Sequence, residues 1–82
     1  MIAPTPVPLV PLDALNSGEG GVVADLDGPA VAVNRLQELG LRVGQRLTML
    51  RPGPPHLVQL GDIRLAFRPE ADVVVLVGLR EG

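Results

Sequence analysis

The chain has 82 residues, a formal charge of −2, no cysteine and a single aromatic residue, Phe67, which makes it one small domain with an aliphatic core. The lack of cysteine excludes disulfides and thiolate metal sites, and the slightly acidic balance gives no electrostatic reason to expect nucleic acid as a partner. Ten glycines and nine prolines among valine-rich runs favour short strands and many turns over a helical bundle.

Residues 1–8 read as a flexible Pro-rich arm, because Pro4, Pro6 and Pro8 at alternate positions favour extended backbone. The first twelve residues are uncharged but lack the basic start of a signal peptide, and they fall short of the roughly 20 residues a membrane helix needs. The chain is therefore expected to be soluble and cytoplasmic. Leu12 and Leu15 point into a core ahead of the Ser17-Gly18 turn, and Gly20 to Leu26 reads as the first full strand.

Asp27-Gly28-Pro29 is a helix start, with Pro29 pre-setting the first turn. The helix is expected over about residues 29–39, where Ala32, Leu36 and Leu39 share one face. Gly40 ends it in a left-handed conformation, and Leu41 packs back on Leu36 in a Schellman ending. Gln45 to Arg51 is the next strand, with Leu47 and Met49 on one side and Arg46 and Thr48 on the other. Pro52-Gly53-Pro54-Pro55 is a stiff loop.

His56 to Phe67 reads as a hairpin around Gly61-Asp62, with glycine first as a type II′ turn requires. Its second arm sets Ile63, Leu65 and Phe67 on one face and Arg64, Ala66 and Arg68 on the other. Pro69-Glu70-Ala71 can make a single helical turn. Val73 to Leu79 closes the chain as a strand apolar on both faces, suited to a central or barrel-closing position. The expected fold is mainly β: a small SH3-like barrel of about five strands with one short helix, spanning residues 9–80, whose closure hides strand edges.

The order of these pieces resembles the FeoA family, and also the FeoA-like domain at the end of DtxR-type metal-dependent repressors. The resemblance is carried by R-L-x-x-L-G-L-x-x-G from Arg35 to Gly44, then a strand, a proline-bearing loop, and a hairpin ending R-L-A-F-R from Arg64 to Arg68. A proline with an alanine two residues on, and a valine-rich last strand, complete it. Together they cover about Leu9 to Leu79. The resemblance implies a small cytoplasmic accessory protein of bacterial ferrous iron uptake, acting on the cytosolic region of the membrane transporter FeoB. Two features depart from the family pattern: the loop after the second strand is dense in proline, and Phe67 stands where an aliphatic residue is commoner.

No catalytic set emerges. Ser17 is the sole serine and His56 the sole histidine; neither sits in a nucleophile elbow, and there is no P-loop. Arg35, Arg46 and Arg51 read as solvated surface residues rather than as an arginine inserted towards a partner's nucleotide. One histidine rules out a two-His-one-carboxylate iron set within one chain. A weak site for Fe(II) or another divalent metal from His56 and Asp62 across the hairpin is the remaining candidate, against a solvated His56 beside the proline loop. Asp25 and Asp27 read as a wet strand face.

The expected activity is therefore docking, without enzymatic chemistry, cofactor or nucleic acid. The candidate partner surface is Leu39 and Leu41 near the helix end, with Arg35, Arg42 and Arg46 as a charged rim. The alternative for the two leucines is burial in the core. The alternative function is a stand-alone metal-responsive or repressor-associated interaction module, and the apolar last strand is the candidate contact for self-association into a homo-oligomer.

Overall fold

Short aliphatic runs punctuated by glycine and proline become the strands of a single antiparallel sheet. The computed structural model describes residues 8–68 and 73–79. In chain order the elements are β1 (Leu9–Pro11), a 3-10 turn (Leu12–Ala14), β2 (Gly20–Asp27), α1 (Ala30–Glu38), β3 (Arg46–Arg51), β4 (His56–Leu60), β5 (Ile63–Phe67) and β6 (Val74–Leu79). The strand order is β1-β6-β2-β3-β4-β5, and every neighbouring pair is antiparallel.

One buried cluster draws Val23 from β2, Leu47 and Met49 from β3, Val58 and Leu60 from β4, Phe67 from β5, and Val75 and Val77 from β6. A flat sheet cannot bring five strands onto one cluster, so this sheet curls, and the fold is a small SH3-like barrel. Register shifts between Val23 and Asp25 and between Met49 and Arg51 add the local bend and twist that curling needs. Leu12 and Leu15 plug the cluster, as their spacing predicts. Each such side chain contributes about 1.5–3 kcal/mol by leaving water.

The sheet has six strands where the sequence reading has about five. The added one, β1, lies on β6 through Leu9↔Gly78, Val10↔Val77 and Pro11↔Leu76. With prolines at 8 and 11 it carries no alternation to announce it, and its partner lies far along the chain. Pro8, placed in the arm by the sequence, accepts a hydrogen bond from the Leu79 amide at 2.9 Å. The rest of the expected arm and the expected helical turn at 69–71 fall outside the described residues.

Local signals mostly hold. Pro29 sits one position before the helix, as its N-cap, with φ −58° and ψ 141°, and no side chain caps the end. At the other end Gly40 takes φ +108°. Its amide reaches the Gln37 carbonyl at 3.1 Å, and the Leu41 amide reaches the Leu36 carbonyl at 2.9 Å. Those two bonds are the Schellman pair. The β4–β5 turn is two residues long, with Leu60 opposite Ile63. Gly61 takes φ +59° while Asp62 stays negative, the type II′ pattern.

The alternation of facing holds in the last two strands, but burial along them is uneven. Of Ile63, Leu65 and Phe67, only Phe67 is buried, Leu65 is half-buried, and Ile63 is 58% exposed. β5 is an edge strand whose first residue overhangs the end of the core. β6 is central, paired on both sides by β1 and β2 as its apolar run predicts; Val75 and Val77 are buried, Leu76 is half-buried and Val74 is exposed.

Candidate functional site

The Schellman ending turns the chain sharply after α1 and drives Leu41 into the core at 0% exposure. The following turn is fastened to β2, because the Gly44 amide donates to the Val23 carbonyl at 2.8 Å and the Val23 amide to the Gln45 carbonyl at 2.9 Å. The β4–β5 turn packs beside it. A Cβ at Gly40 would lie 3.5 Å from Leu60 Cδ1, and one at Gly61 would lie 3.7 Å from Gln45 Nε2. The end of α1, the 42–44 turn, the start of β3 and the β4–β5 turn thus form one end of the barrel.

That end leaves three large apolar side chains in water: Leu39 at 47%, Val43 at 61% and Ile63 at 58% exposure. Arg42, Arg46 and Arg64 are exposed around them. Arg42 Nε donates to the Gln37 carbonyl at 3.0 Å, so its cation sits at the negative end of α1. Arg64 Nε reaches Gln59 Oε1 at 3.3 Å. Glu38 and Asp62 are exposed on the same turns, so apolar side chains held by hydrogen-bonded turns, with a charged rim in which arginine outnumbers carboxylate, make a pre-formed contact surface in which little ordering remains to oppose binding.

Of the residues the sequence nominates for this surface, Leu39, Arg42 and Arg46 belong to this end. Leu41 does not: it is wholly buried, because the helix-ending bond turns it inward. Arg35 lies elsewhere, lining a small cleft with Ala32, Leu36, Phe67, Arg68 and Val73. Val43, Ile63 and Arg64 were not nominated. Val43 occupies a free position of the glycine-bracketed motif, where a large apolar residue in a tight turn is itself a signal. Alternation puts Ile63 on the same face as Phe67 and says nothing of its exposure.

The His56–Asp62 metal pair is not assembled. His56 faces Phe67 at the far end of the hairpin from the turn that holds Asp62, about 13 Å away at the rise of a strand. His56 is not solvated either, being 5% exposed. Its Nδ1 accepts the Gly53 amide at 2.9 Å, and its ring stacks on Phe67 with centroids 6.5 Å apart. Among the described residues no three His, Asp or Glu side chains cluster as a metal site. Here the histidine pins the proline loop to the barrel. His56→Ala is expected to destabilise the fold by about 1–3 kcal/mol, from the cavity left by a buried ring, the lost ring contact and the lost hydrogen bond to the loop. Chemical denaturation measures it, and an unchanged midpoint would refute that role.

The Ser17 hydroxyl donates to the Leu50 carbonyl at 2.8 Å, so it too is engaged with backbone. Asp25 and Asp27 are both exposed on β2. No helix among the described residues is long and apolar enough to cross a membrane.

A family model described as the FeoA domain matches residues 10–77. Among solved structures, the chain is similar to the crystal structure of an iron uptake regulatory protein, FeoA, determined by sulfur SAD in a monoclinic form. The two are 28% identical with a TM-score of 0.72, over 82% of this chain and 95% of the other. A comparison with functionally curated proteins gave no match.

Proposed function

The chain belongs to the FeoA family, and on that premise we propose that it is a small accessory protein of ferrous iron transport, acting from the cytosol by docking on the cytosolic region of a FeoB-type transporter. The observation that carries the docking surface is the arginine-rimmed apolar end, with Leu39, Val43 and Ile63 exposed together on hydrogen-bonded turns. Iron is the transporter's cargo in this reading, and the chain works without a metal of its own.

The mechanism is a shift of populations. A rigid barrel that binds one conformation of the transporter better than another favours that conformation by the difference in affinity, and by no more. Each tenfold difference is worth about 1.4 kcal/mol. An amide-shift titration of the labelled chain with the cytosolic region of the transporter, with and without a GTP analogue, tests the proposal. Shifts are expected to concentrate on Leu39, Val43, Arg46 and Ile63. Val43→Asp, at an exposed position, should weaken binding roughly tenfold or more while leaving the fold intact. No shift at high micromolar partner would sink the reading.

A further inference from the structure

The sheet has two edges of opposite character. β1 is three residues long and ends in Pro11, with Pro8 just ahead of it, so it offers an added strand few amide donors. β5 is five residues long, contains no proline, pairs with β4 in unbroken register, and among the described residues pairs with nothing else. Its two-residue turn makes Leu60 and Ile63 a hydrogen-bonded pair. By alternation, the backbone groups of Ile63, Leu65 and Phe67 point towards β4, and those of Arg64 and Ala66 point to the free edge.

Charge argues for one kind of occupant. Among the described residues, four of the six carboxylates, Asp13, Glu19, Asp25 and Asp27, precede Arg35, every arginine lies from Arg35 onward, and Glu38 and Asp62 are the two carboxylates in that later part. Within the sheet, β2 carries two carboxylates and no arginine, whereas β3 and β5 carry Arg46, Arg51 and Arg64 and no carboxylate. Arg64 and Ala66 share one exposed face of β5 at the free edge, and Arg68, one residue past the strand beside the cleft of Arg35, is exposed as well. A second copy pairing β5 with β5 would set the arginines of both copies on the same face, where like charges destabilise. An extended segment with carboxylates at alternate positions would meet Arg64 and Arg68 instead. Its intervening aliphatic residues would fall beside Ile63 and Leu65 on the other face.

We infer that β5 is a strand-accepting edge, taking an extended segment that alternates carboxylate and aliphatic residues as an added strand. The inference rests on the docking reading for the identity of the partner, and it deepens that reading by naming the backbone that holds the partner. The acidic segment gains main-chain hydrogen bonds from Arg64 and Ala66, and its side chains supply the specificity.

The test uses the labelled full chain with the blocked peptide Glu-Val-Glu-Val-Glu, its lysine counterpart, and separately the cytosolic region of the transporter. The acidic peptide is expected to shift the Arg64 and Ala66 amides and slow their hydrogen exchange about tenfold, and the lysine peptide to do neither. Ala66→Pro removes an outward amide and no bond to β4, a substitution that edge strands tolerate. It should weaken both the peptide and the transporter roughly tenfold, as should Arg64→Glu. Unchanged exchange at Leu65 and Phe67 shows that each variant is folded.

An acidic peptide that leaves the Arg64 and Ala66 amides untouched overturns the inference, whatever the transporter does. Transporter binding that survives both variants also overturns it, and leaves docking standing. A peptide response without transporter binding supports the edge and removes the docking reading. Self-association abolished by Ala66→Pro would assign the edge to a second copy and overturn the acidic occupant.

Discussion

Gly21→Ala is expected to unfold much of this domain. Gly21 is buried in β2, opposite Leu79 of β6 and Leu47 of β3. A Cβ there would run into the Gly78 carbonyl, with Val77 Cγ1 at 2.9 Å. The obstacle is backbone, so no rotamer change relieves it, and β2 must separate from β6. Those strands form the longest ladder in the sheet, from Gly21 to Asp27. Ordinary overpacking costs about 1–3 kcal/mol, and a clash with backbone in the central ladder should cost about 3 kcal/mol or more. A domain of this size has only about 4–12 kcal/mol in total. The midpoint of urea unfolding measures the effect. A loss under about 1 kcal/mol would mean that the two strands can part without disturbing the core.

Leu41→Ala is expected to cost about 2–5 kcal/mol, the range for a buried leucine whose cavity closes only in part. Leu41 is fully buried and its amide completes the helix ending at 2.9 Å from the Leu36 carbonyl, so the variant loosens both the core and the end of α1. Leu39→Ala, at a half-exposed position, should leave stability within about 1 kcal/mol and weaken docking instead. Paired denaturation and titration separate the two leucines. A Leu41→Ala protein of full stability that fails to dock would return Leu41 to the contact surface.

These two neighbours differ in what local sequence decides about them. The motif from Arg35 to Gly44 predicts a helix ending, and the Schellman bonds are there. The same motif leaves open which leucine faces water, since that depends on where the rest of the barrel lies. Alternation places Leu47 and Met49 correctly, because β3 runs through the middle of the core, whereas the all-apolar last strand has no apolar-polar alternation to say that Val75 and Val77 are its buried pair. Alternation gives the face that Ile63 shares with Phe67 but not its exposure, because an edge strand can overhang the core. His56 reads as a solvated residue beside a proline-rich loop, yet Phe67 on the neighbouring strand covers its ring, and the loop's own amide occupies its nitrogen.

The sequence by itself determined what depends on neighbours a few residues apart: the helix ending at Gly40, the turn at Gly61-Asp62, the aliphatic alternation and the mainly β class. These follow from φ preferences, hydrogen bonds that close within one turn, and the two-residue period of a strand. Only the tertiary structure decided the pairing of β1 with β6, the burial of Leu41 and His56, and the meeting of Leu39, Val43 and Ile63 at one end. Those outcomes join residues distant in the chain, and they are set by how the sheet curls around its core, which no local pattern encodes.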